Sequence, residues 1–166
     1  MKKKLLFFLL FFAAVQCLRA QELPNLKHVK LNKKAHFKDT EQLTLKVVTY
    51  LFETPMNKKN KSRAEAGQFL LTWMNGTPDF TFYLEDKETS FFNTDSDLIL
   101  MYMAALTKFT LENRTIKDQR SIILGTMRIV LPYLNQQEDK KSWSALLWQL
   151  NEANQKGKLP DFLDKN

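Results

Sequence analysis

Cysteine is almost missing from this chain. The single residue, Cys17, stands near the N-terminus inside a stretch that reads as a leader. The body therefore holds no disulfide, no thiolate nucleophile and no cysteine-based metal site. Glycine is scarce too, and four residues cannot build a phosphate loop or a dinucleotide fingerprint. Histidine is limited to His28 and His36, both near the N-terminus, and neither an H-E-x-x-H helix nor an EF-hand loop occurs. No metal and no cofactor are expected. No histidine falls in the body to activate Ser90, Ser121, Ser142 or Ser144, and there is no G-x-S-x-G elbow, so no catalytic residue is assigned. Long apolar runs are lacking as well. Past the leader, no stretch approaches the roughly 20 apolar residues a membrane span needs.

What is present begins with the leader. Lys2, Lys3 and Lys4 form a positive n-region, and Leu5 to Val15 is an apolar run. Leu18-Arg19-Ala20-Gln21 follows, so a secretory signal peptide cut between Ala20 and Gln21 is the expectation. Lipidation at Cys17 is the alternative, although Gln16 stands where a small residue is usual. The protein is expected to be exported, periplasmic or secreted. The organisation read from the chain is 1–20 signal peptide, 21–38 extended basic arm and 39–166 helical domain. Of 25 basic and 18 acidic residues, Lys2, Lys3, Lys4 and Arg19 lie in the leader. That leaves 21 against 18, a net +3 for the exported chain.

The arm carries Pro24 and five lysines, with scattered apolar residues. Helical signals follow it. Asp39 and Gln42 stand at capping-box spacing before the stripe Leu43, Val47, Val48, Leu51, Phe52, which Thr54-Pro55 ends. Ser62 and Glu65 form a second box before Ala66, Phe69, Leu70, Trp73 and Met74, and Asn75-Gly76 stops that helix. Residues 77–93, with Phe80, Phe82 and Leu84 alternating, read as an irregular apolar connection. Thr94 and Asp97 open a helix bearing Leu98, Met101, Tyr102, Ala105, Leu106 and Phe109. Thr115 and Asp118 open another with Ile116, Ile122, Ile123, Met127, Val130, Leu131 and Leu134, which Pro132 should kink or end. A last helix from about Asp139 to Asn154 turns Trp143, Leu146, Leu147 and Leu150 inward, with Gly157 as its cap and Leu159, Phe162 and Leu163 as an apolar tail. The expected class is all-α, about five amphipathic helices in one compact domain.

The stretch Ser62 to Phe82, the segment Met101 to Phe109 and Lys156-Gly-Lys-Leu159 together resemble small exported α-helical bacterial proteins of unknown function. The resemblance implies an exported helical body and carries no activity or site residue with it.

Charge distribution is the most informative remaining feature. Lys27 to Arg63 holds ten basic and three acidic residues; from Ala64 onward there are eleven basic and fourteen acidic. Lys58, Lys59, Lys61 and Arg63 form a candidate anion-binding patch beside the basic arm. In the envelope the available anions are lipid headgroups and acidic glycans, so an envelope protein or an anionic surface is the expected partner, and nucleic acid is not. The expected function is a non-catalytic binding or adaptor module of the bacterial envelope. The alternative is a carboxylate-dependent hydrolase acting on envelope glycan or peptide, drawing on Glu85, Asp86 and Glu88 or on Asp95 and Asp97, with Trp148 or Tyr83 at the groove. Asp95 and Asp97 also suit a helix N-terminus, where negative charge complements the dipole. Trp73 and Trp143 read as core, and Trp148 as partly exposed.

Overall fold

Among the described residues the apolar stripes mark five long helices, and three short ones lie before, between and after them. The computed structural model describes residues 22–82 and 84–165, the side chain of Asp86 excepted. The expected signal peptide with Cys17, and Tyr83, lie outside the described residues. The helices are α1 (Lys34–Asp39), α2 (Glu41–Glu53), α3 (Lys61–Gly76), α4 (Asp86–Thr89), α5 (Ser96–Glu112), α6 (Gln119–Gln136), α7 (Ala145–Gln155) and α8 (Leu159–Lys165). No strand occurs among the described residues. The expected count of about five falls short because α1, α4 and α8 have only six, four and seven residues. One or two turns are too few for a helical period to stand out in sequence.

Over residues 22–38 the expected extended basic arm is packed on the core and ends in a helix. Residues 22–33 are irregular, but Leu26 is buried and Leu23, Val29 and Leu31 pack against the core. The segment then enters α1, where Phe37 is buried and its carbonyl accepts a 2.9 Å hydrogen bond from Trp73 Nε1. The apolar residues that looked scattered are therefore anchors, and the arm's lysines are exposed on a fixed segment.

Local signals placed the helix starts to within a few residues. Asp95 caps α5 by accepting from Asp97 N–H, and Asp118 caps α6 by accepting from Ser121 N–H. At α3 the cap is Asn60, which accepts from Ser62 N–H and Arg63 N–H, so the helix begins before the expected Ser62–Glu65 box. The last long helix starts at Ala145 behind a Ser144 cap, not at Asp139, and Trp143 is buried in the loop ahead of it. Gly157 ends α7 with φ +69°, and Lys158 N–H reaches back to Ala153 C=O at 2.8 Å, a Schellman turn. Pro132 neither ends nor breaks α6, which runs on to Gln136. Pro132 and Arg128 both lie on the exposed face, where water can reach a carbonyl that loses its N–H partner.

The core is one continuous cluster. Val47, Val48 and Leu51 of α2, Leu70 and Trp73 of α3, Leu98, Met101 and Tyr102 of α5, and Val130, Leu131 and Leu134 of α6 are all at most 1% exposed. The packing centres on α5, which lies against α6 and α2, while α3 packs on α2. Helices α7 and α8 close one end against α6 and each other. Phe91 and Phe92, from the irregular stretch after α4, fill the space beside Tyr102, with Phe92 stacked on its ring at 5.0 Å.

Candidate functional site

Proline chemistry builds the centre of the site. In α2, the Leu51 carbonyl would accept from the N–H of residue 55, but residue 55 is proline and has none. Proline also pushes the residue before it out of helical geometry, and Thr54 is extended at φ −111°, ψ 138°. Carbonyls at this helix end therefore need another donor. Arg63, from the first turn of α3, supplies it: its Nη1 donates to Leu51 O at 2.7 Å, to Thr54 O at 2.8 Å and to Thr54 Oγ1 at 2.8 Å. Its Nη2 meets Met101 Sδ at 3.3 Å. Tyr133 of α6 closes the arrangement, its hydroxyl donating to Thr54 O at 2.8 Å. Arg63 is 3% exposed, and no carboxylate pairs with it among the described residues. Its charge is held by the negative end of the α2 dipole.

Above this buried guanidinium lies a groove of about 780 Å³, between the C-terminal ends of α2 and α6 and the N-terminal end of α5. Its walls are tied together. Met56 N–H donates to Gln137 Oε1 at 3.2 Å, Thr94 Oγ1 to Ser142 O at 2.6 Å, and Lys58 Nζ to Asp95 Oδ2 at 2.7 Å. Among the described residues, five carboxylates, Glu53, Asp95, Asp97, Glu138 and Asp139, and one cation, Lys58, line the groove, with the buried Arg63 beneath. Partial burial pushes the Asp95 carboxyl up, but hydrogen bonds from Lys58 and from Asp97 N–H outweigh it and hold the group below its ordinary range. The same contact raises the Lys58 ammonium. Burial raises the Tyr133 phenol against the opposing pull of Arg63.

The expected anion-binding patch is not assembled as a four-cation surface. Arg63 is buried, Lys58 is committed to Asp95, and Lys59 and Lys61 remain exposed. Asp95 and Asp97 do sit together, as an N-cap and its first-turn neighbour. The other acidic trio divides: Glu85 is exposed, while Glu88 is 6% exposed. Trp148 is 47% exposed and packs at a tilt against Trp143, with ring centroids 4.6 Å apart and ring planes at 51°. His28 is exposed and His36 lies in α1, and no group of three metal-ligating side chains occurs among the described residues. No family model, curated protein or solved structure matches this chain.

Sequence reading missed Tyr133, Gln137 and the structural task of Arg63. Pro55 carried a signal, because it announced a helix end short of a donor. Nothing near it in sequence named the donor. Among the described residues no helix is long and apolar enough to cross a membrane.

Proposed function

We propose that this chain is an exported, non-catalytic binding module of the bacterial envelope, and that the groove beside Arg63 docks an extended basic segment of a partner protein. The observation that supports this reading is the groove's charge, five carboxylates against one lysine that is already paired. The C-terminal end of α6 lies there too and adds its negative pole, that of α2 being taken up by Arg63. The expected anionic surface finds less support, since Arg63 is buried and Lys58 is spent on Asp95. The hydrolase alternative finds none in Asp95, which is occupied as a helix cap and an ion-pair partner.

The test uses a fluorescent octalysine peptide, its fully acetylated counterpart, and vesicles of anionic phospholipid. The lysine peptide is expected to bind weakly and to weaken as salt rises, because exposed charges are screened beyond about 8 Å at physiological ionic strength. The double variant Glu138→Gln, Asp139→Asn should lower its affinity several-fold, while Glu65→Gln, outside the groove, leaves it unchanged. Equal loss in both variants would mean general attraction and defeat the groove. Vesicle binding without peptide binding would return the reading to an anionic surface.

A further inference from the structure

A second cavity lies elsewhere in the fold, where α4, α6 and α8 meet. It has a volume of about 340 Å³, within the range of small-molecule sites. Phe91, Ile123, Leu124 and Leu163 give it an apolar lining. Into this surface the one-turn helix α4 sets Glu88, which lines the cavity and is 6% exposed. Its Oε2 is buried and accepts no hydrogen bond from the described residues.

A carboxylate oxygen buried without a donor is costly, and such groups are normally paired. One cation of the lining, Arg120, is engaged elsewhere. Arg120 holds Asp164 through two parallel bonds, Nε to Oδ1 at 2.9 Å and Nη2 to Oδ2 at 2.6 Å. Lys87 also lines the cavity, is exposed, and lends its charge to Asp164. No ion pair to Glu88 forms among the described residues. A partly apolar cavity, whose lining also includes Gln119 and the paired Arg120 and Asp164, thus has in its wall a buried carboxylate oxygen with no donor among the described residues.

We infer that this cavity is a binding site for a small organic ammonium ion with an apolar body, its charged head on Glu88 and its body against Phe91, Ile123, Leu124 and Leu163. The head supplies the donor and the counter-charge that Oε2 lacks. The body replaces water over the apolar walls. The volume corresponds to roughly eleven waters at liquid density, which suits a body of one ring or a short alkyl chain. This site is separate from the groove beside Arg63, so either reading stands or falls without the other.

Titration calorimetry on the purified protein decides it, with phenethylamine, phenylpropionate and phenethyl alcohol as probes of like shape and different charge. Phenethylamine is expected to bind at one site, and the acid not at all. Glu88→Gln, which keeps the shape and removes the charge, should weaken phenethylamine about tenfold or more. Ile123→Trp, filling the chamber with Glu88 intact, should abolish binding while circular dichroism shows the helices retained. No binding by the unaltered protein, equal affinity for the alcohol, or full binding by either variant would overturn the inference.

Discussion

Replacing Arg63 by methionine removes the guanidinium while keeping an unbranched apolar stem in place. Three consequences follow from the geometry. Leu51 O loses its 2.7 Å donor, and Pro55 cannot replace it. Thr54 O loses one of two donors and keeps the Tyr133 hydroxyl at 2.8 Å. Against these losses, a charge no longer has to be held out of water, which recovers part of the desolvation cost. One orphaned buried carbonyl costs about 1–3 kcal/mol, and the weakened second acceptor adds to it. The net expectation is a loss of about 2–4 kcal/mol, a large fraction of the 5–15 kcal/mol typical of a whole domain. Urea unfolding followed by far-ultraviolet circular dichroism reads this directly. With a slope of about 1–3 kcal/mol per molar, the midpoint should fall by about 1 M or more at unchanged slope. Arg63→Lys, with one compact ammonium in place of a fork, should fall between the two. A methionine variant as stable as the original would refute the argument that the guanidinium supplies the donors Pro55 denies.

Two further stability predictions test other parts of the fold. Gly125→Ala, inside α6, should destabilise by about 1–3 kcal/mol through overpacking, although alanine normally favours a helix interior by about 1 kcal/mol. The added Cβ would lie 2.0 Å from the Phe109 ring of α5; a stabilised variant in thermal melts would show that the ring moves aside freely. Asp95 ionises more readily when folded than when unfolded, because Lys58 and Asp97 N–H more than offset its partial burial. Its contribution is therefore complete above the ordinary carboxylate pKa of about 3.9 and lost as pH falls below that value. The stability gap between the unaltered protein and Asp95→Asn should shrink between pH 6 and pH 3 in urea titrations; a constant gap would mean that Lys58 and Asp97 N–H together do not outweigh the burial of Asp95.

The helices were legible because their causes are local. Val47, Val48 and Leu51 sit on one face of α2 through a period the chain itself carries, and Asp95 and Asp118 cap helices two or three residues away. Where local signals competed, the reading slipped. Asn60 stands just ahead of Ser62 and takes its place as cap, and α6 passes through Pro132 on its exposed face. Trp148 falls off the α7 stripe in sequence, and it is 47% exposed.

Charge was legible in amount and not in place. The basic run Lys58 to Arg63 gives no sign in sequence that its last member turns inward, because nothing beside it asks for a buried guanidinium. That demand comes from Leu51 O, twelve residues back, and from Thr54, which Tyr133 reaches across 79 residues. Glu88 is the same case, an ordinary member of an acidic loop until α6 and α8 fold over it. The period of the apolar residues and the caps beside them determined by themselves that this chain is helical and roughly where each long helix begins. Which charges leave water, and which surfaces become hollow, was decided only when distant helices came together, since burial belongs to the assembled neighbours and not to the residue.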